Sequence, residues 1–189
     1  FSGLRANMIS DKLTVLVTNG SYKNTLAAVR SLGRAGHRVW VTDRDEFSRR
    51  FGPAFLSRYC AGRGWYTNPR RSLDDFVADL LRLVERSGAD VLLPIGLDAS
   101  VAVAATQDRI RPHVALALPP YDVFIRAHDK EQTVHLAQEI GIPVPRSTCV
   151  ESLVHLRSLV SEFEYPVVLK ARKSGASAHV FFGNTLAEL

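Results

Sequence analysis

Lys170, Arg172 and Lys173 close the apolar run Tyr165-Pro166-Val167-Val168-Leu169 and lead into the small-residue loop Ser174-Gly175-Ala176-Ser177. Strand side chains alternate between faces, so Val168, Lys170 and Arg172 share one face, and Val167, Leu169 and Ala171 the other. The run reads as a buried strand. A lysine buried among apolar neighbours is costly unless an anion meets it. The small residues that follow let backbone N–H groups approach such an anion closely. The combination suits a polyphosphate, with Lys170 as a point charge. The plain alternative is a strand end whose cations simply enter solvent.

Lys130 is the second candidate. It follows Asp129, which is placed to cap a helix, with Gln132 placed to reach back to the cap. A cation in the first turn opposes the positive end of the helix dipole, at about 0.3–1 kcal/mol. Such a charge is easier to understand if it serves an anion; otherwise Asp129 and Glu131 offset it in solvent. Asp98 ends the loop Ile95-Gly96-Leu97-Asp98 after an apolar strand, where open α/β sheets gather ligands. It could touch substrate there, although capping the helix over 99–107 is the favoured reading. Asp43 ends a strand at the place of a dinucleotide-ribose carboxylate. The turn Asn19-Gly20-Ser21-Tyr22-Lys23-Asn24, however, lacks the G-x-G-x-x-G spacing. Asp43 therefore reads as a turn residue. His128, His135, His155 and His179 lie on different elements without zinc spacing, and His179 reads as strand packing. No Ser-His-Asp or Cys-His arrangement is present, so the catalytic residues stay unassigned and no metal site falls within the chain.

The elements that position these residues follow two patterns. Over 11–118 apolar strand runs alternate with amphipathic helices, which predicts a Rossmann-like parallel sheet. The strands are Leu13–Thr18, His37–Asp43, Asp90–Pro94 and His113–Leu118, with a short one at Ser57–Cys60. A helix from about residue 22 to Ala35 stops at Gly36, and Ser72-Leu73-Asp74-Asp75 opens another that stops at Gly88. Residues 44–71 otherwise read as a long connection. Pro119-Pro120 marks a boundary. Beyond it a smaller α+β unit is expected over 121–189. Its first helix carries Val134, Ala137 and Ile140, and its second turns Leu153, Leu156, Leu159, Val160 and Phe163 inward. The strand that bears Lys170 follows, then a return strand at His179–Phe182 and the start of a helix at Thr185. Residues 1–10 read as a tail, disordered or, over Phe1–Asn7, left from cloning before the only methionine, Met8.

Composition narrows the classes. With 46% hydrophobic and 23% charged residues in 189, the chain is an ordinary globular protein with room for one core or slightly more. No apolar run approaches the ~20 residues of a membrane span, and no secretory signal is visible, which makes the cytoplasm the expected compartment. Cys60 and Cys149 are far apart and form neither a metal pair nor a disulfide framework. The +5 charge favours acidic ligands, but the basic residues are dispersed without interleaved aromatics, so nucleic acid is not an expected partner.

Residues 121–189 resemble the first lobe of the ATP-grasp superfamily. The matching features are Asp129-Lys130 opening a helix, Glu139-Ile140-Gly141-Ile142-Pro143-Val144-Pro145, then Tyr165–Lys170 and its small-residue loop. Their order and spacing, rather than any one of them, carry the resemblance. The preceding unit looks like the domain that usually precedes the grasp. The flavour is similar to carbamoyl-phosphate synthase large chains, biotin carboxylases and carboxylate–amine ligases. The resemblance implies that Lys130 and Lys170 reach the phosphates of ATP, and that the loop holding Ser174, Gly175 and Ser177 covers them. That loop has only one glycine where many relatives have several. The ligands of Mg2+ and the base-binding residues are expected beyond Leu189, in a second lobe.

The function so implied is part of an ATP-dependent ligase. A carboxylate becomes an acyl phosphate and is attacked by an amine or similar nucleophile. The implied partners are a small-molecule carboxylate and an amine, with a homodimer left open. A non-catalytic nucleotide-binding or regulatory module on the same half-fold is the alternative. A nicotinamide-dependent enzyme is the weaker third.

Overall fold

The computed structural model describes residues 12–44, 52–159, 162–173, 180–185 and 188. It divides into two compact units, Phe1–Tyr121 and Asp122–Leu189.

The first unit is built on a five-stranded sheet of order β3-β2-β1-β4-β5, parallel throughout. Its strands are β1 (Thr14–Val17), β2 (Arg38–Arg44), β3 (Cys60–Tyr66), β4 (Val91–Leu93) and β5 (Ala115–Leu116). Among the described residues four helices belong with it: α1 (Lys23–Arg34), α2 (Leu73–Ser87), α3 (Leu97–Ala105) and α4 (Gln107–Ile110). Because strand side chains alternate, the sheet sorts its residues into two cores. Val15, Val17, Val39 and Val41 meet Val29 of α1 and Phe55 on one face. Leu16, Trp40 and Leu92 meet Phe76, Leu80 and Val103 of α2 and α3 on the other. Burial on both faces is why these strands read as unbroken apolar runs. Ser72 caps α2 by accepting from the Asp75 N–H at 3.2 Å, the arrangement its sequence predicts.

The stretch read as a long connection holds more structure than expected. A 3-10 turn spans Pro53–Leu56, and β3 is a full seven-residue edge strand rather than a short run at Ser57–Cys60. Gly62 and Gly64 hid it, since they break the apolar alternation. Both are required by packing. A Cβ on Gly62 would lie 2.4 Å from the Trp40 ring, and one on Gly64 would lie 2.2 Å from Leu83. β5 is correspondingly shorter than expected, with two residues paired instead of six.

The second unit opens with α5 (Tyr121–His128), a helix the sequence reading did not assign. It continues with α6 (Lys130–Glu139), α7 (Leu153–Leu159) and a separate antiparallel ribbon of β6 (Val167–Lys170) and β7 (Val180–Gly183). Among its described residues only Asp129 and Gly183 are buried. This corrects three expectations. Leu153 is 75% exposed rather than inward, Ile140 stands outside, and β6 is a half-exposed ribbon strand rather than a buried one. Val160 and the tail over 1–10 lie outside the described residues, as does most of the helix expected from Thr185.

Gly33 offers a test of the packing in the first unit. Alanine in a helix interior ordinarily stabilises by about 0.5–1 kcal/mol over glycine. At Gly33 the new Cβ would sit 2.4 Å from Cβ and Cγ of Tyr59, atoms that cannot swing away. Gly33→Ala is therefore expected to destabilise, by about 1–3 kcal/mol. Denaturant midpoints of variant and parent check the sign.

Candidate functional site

The buried carboxylate of Asp129 organises the second unit. It is 0% exposed and caps α6, its Oδ1 accepting the Glu131 N–H at 3.1 Å and the Gln132 N–H at 3.5 Å. The Gln132 side chain also reaches back, its Nε2 donating to Oδ2 at 3.5 Å, whereas the Asp129 N–H bonds to the Ile125 carbonyl. The main partner of Asp129 is Arg172, just past the end of β6. Arg172 Nε donates to Oδ1 and Oδ2 at 2.8 and 2.9 Å, and Nη2 donates to Oδ2 at 2.7 Å. Arg172 Nη1 meets Glu131 Oε2 at 2.6 Å, and Lys173 Nζ lies 3.8 Å from Asp129. The Arg172 bonds, helped by the two helix N–H groups, hold the Asp129 carboxyl well below its ordinary value, against the opposite push of burial. The same bonds push the Arg172 guanidinium up.

This clamp brings Lys130 to the end of β6. Its backbone N–H and its Nζ both donate to the Arg172 carbonyl, each at 3.3 Å. Lys170, two residues earlier, lies on the exposed face of the ribbon with Val168, which is 49% exposed. The burial cost expected for Lys170 therefore does not arise; what remains is a cation presented on an open face. Glu131 and Asp129 converge on Arg172. Ser174, Gly175, Ser177 and His179 lie outside the described residues.

In the first unit the carboxyl ends of β1 and β4 form the point where strand order reverses, the usual ligand crevice of such sheets. Thr18 and Ile95 tie the two loops together reciprocally. Thr18 Oγ1 donates to the Ile95 carbonyl and accepts its N–H, both at 2.8 Å. Tyr66, which fell in the unread connection, donates from its buried hydroxyl to Asn19 Oδ1 at 2.8 Å and accepts the Asn19 N–H at 3.3 Å. Burial, and then the charge of Asp43, push the Tyr66 phenol far up. Asp98 stands at this crevice but does not cap α3. The N-cap is Gly96, and Asp98 sits in the first turn, bonded to Arg70 Nη2 at 2.8 Å. Asp43 is fully buried, accepting the Ser21 and Arg44 N–H groups at 2.7 Å each. It lies within β2, paired with Trp65, rather than in a turn as expected, and its carboxylate is occupied by main chain.

No protein-family model matches the sequence. Solved structures do share its fold. The biotin carboxylase of Campylobacter jejuni in a β,γ-ATP complex superposes with a TM-score of 0.67 over 95% of this chain, at 17% identity, and is itself 40% covered. The biotin carboxylase domain dimer of Hydrogenobacter thermophilus 2-oxoglutarate carboxylase, with MgADP, ADP and bicarbonate, gives 0.62 at 17% identity, over 94% of this chain and 39% of that one. The ADP complex of N5-carboxyaminoimidazole ribonucleotide synthetase gives 0.66 at 16% identity, over 93% and 42%. The chain has the α/β fold of the amino-terminal part of these proteins and spans about 40% of the C. jejuni protein's length.

The depressed Asp129 pKa sets a pH dependence. A carboxylate with a folded pKa below its unfolded one stabilises above the unfolded value, 3.8 here, and loses that stabilisation as pH falls toward the folded one. The contribution of Asp129 is thus expected to be constant from neutrality to about pH 5 and to decline below. Thermal melts followed by circular dichroism from pH 7 to 2 check this. Asp129→Asn, which keeps a cap acceptor, should lower stability at neutral pH and flatten the acid-side decline.

Proposed function

We propose that this chain is the amino-terminal portion of an ATP-dependent ligase. In that reading a small-molecule carboxylate is activated as an acyl phosphate and attacked by an amine or similar nucleophile. The observation that supports it most is the placement of Lys130 on the Arg172 carbonyl, two residues beyond Lys170. Two lysines from separate elements thus stand along one short stretch of backbone. Phosphoryl transfer asks the protein chiefly for positioning and charge neutralisation, and lysines with nearby main-chain donors supply both. Bound ATP supplies the phosphoryl group. Lys130 and Lys170 hold its phosphates in this reading, and the loop with Ser174, Gly175 and Ser177 covers them.

The fold itself supports the reading, since it is the fold of proteins solved with ATP or ADP. Among the described residues no three His, Cys, Asp or Glu side chains are grouped to hold a metal, so magnesium is given no ligands here. No helix is long and apolar enough to cross a membrane. A nicotinamide role draws nothing from Asp43, whose oxygens are bonded to the Ser21 and Arg44 main chain. Asp98, beside Arg70 at the sheet crevice, is retained as a substrate contact.

ATP titration of the protein and its Lys130→Met and Lys170→Met variants tests the proposal. Each substitution is expected to weaken ATP binding by about 1.5–3 kcal/mol, roughly ten- to a hundredfold. Lys170→Met should leave stability within about 0.5 kcal/mol, because the side chain is exposed. Unchanged ATP affinity in both variants would overturn the phosphate role. ATP-dependent product formation by a chain extending past Leu189 would separate the ligase from a regulatory nucleotide-binding module.

A further inference from the structure

We infer that Arg172 is a positioning residue for nucleotide binding: through the Asp129–Arg172 clamp it sets the place of the Lys130 ammonium without itself touching phosphate. This rests on the proposed phosphate role of Lys130. Near a nucleotide site an arginine just past a strand end would ordinarily be read as a phosphate ligand, because its planar fork suits phosphate oxygens. Here all three guanidinium nitrogens lie on carboxylates. Nε and Nη2 engage Asp129 at 2.7–2.9 Å, and Nη1 engages Glu131 at 2.6 Å. Presenting the Nε/Nη2 fork to phosphate would mean breaking a bidentate pair with a carboxylate that is 0% exposed. A buried carboxylate deprived of its partner is strongly disfavoured.

The clamp acts on Lys130 by two routes. Asp129 precedes it directly and caps its helix, so a fixed Asp129 fixes the first turn of α6. The Arg172 carbonyl accepts both the Lys130 N–H and its Nζ, so the same residue holds backbone and side chain. Lysine carries four rotatable bonds and loses much rotamer freedom when a ligand fixes it. A carbonyl that already directs Nζ reduces that loss. The acidic neighbours add a second effect. Asp129 and Glu131 are both engaged with Arg172, which draws their negative charge toward the guanidinium and away from the ammonium.

A double-mutant cycle on the whole protein tests this, with ATP affinity as the readout and a thermal melt beside each variant. Arg172→Lys keeps the charge but loses the fork, and Arg172→Gln removes the charge. Each is expected to weaken ATP binding about tenfold, the scale of one charge-assisted hydrogen bond. Combined with Lys130→Met, neither should weaken it further, because the effect passes through Lys130. Combined with Lys170→Met, the losses should add. Additive losses with Lys130→Met would overturn the inference by showing that Arg172 meets the nucleotide itself. Lower melting temperatures with unchanged affinity would overturn it by showing a purely structural pair. If Arg172→Gln fails to fold, the Arg172→Lys cycle decides alone. If Lys130→Met leaves ATP affinity intact, the phosphate role of Lys130 fails first and this inference falls with it. If Lys130→Met weakens binding and Arg172→Lys does not, the positioning role alone is wrong.

Discussion

A carboxylate removed from water must be surrounded by donors, and the second unit is arranged around that requirement. Asp129 takes main-chain N–H groups from one end of α6 and a guanidinium from the end of β6. The Lys130 bonds to the Arg172 carbonyl and the Arg172–Glu131 pair join helix and ribbon at the same place. The first unit obeys a different constraint. Its sheet sorts valines and leucines into two apolar layers, and its polar bonds tie loops at the carboxyl edge, as between Thr18 and Ile95. One half of the chain is held by excluded water, the other by a satisfied charge.

That difference explains what could be read from the residues alone. The parallel strands were legible because burial on both faces leaves unbroken runs such as Val15-Leu16-Val17. Strand β3 was not, because Trp40 and Leu83 need the space that Gly62 and Gly64 leave, and those glycines erase the strand signal. The cap at Asp129 was legible from its place before the helix. Its pairing with Arg172 was not, since the two lie 43 residues apart and only the fold joins them. Alternation put Arg172 on the Lys170 face, but β6 stops at Lys170 and frees Arg172 to turn toward α6.

The same contrast bears on the individual lysines. Lys170 owes its exposed place to a two-stranded ribbon with one open face, so its charge costs the fold little. Lys130 stands in the first turn of a helix, where the dipole disfavours it. The Arg172 carbonyl compensates there. A lysine is thereby kept at a helix N-terminus whose first main-chain N–H groups are already bonded to the Arg172 carbonyl and to Asp129.

The scarcity of buried apolar side chains among the described residues of the second unit has a thermodynamic consequence. Segments with few buried contacts open locally at a fraction of the global unfolding free energy. Their amides exchange with solvent long before those of a layered sheet like the one containing Leu16 and Leu92. Whatever binds such a segment only when it is closed adds its binding free energy to closure, by RT ln(1 + [L]/Kd). In the proposed role, nucleotide occupancy would therefore appear as solvent protection spreading outward from the first turn of α6, with the sheet of the first unit unchanged.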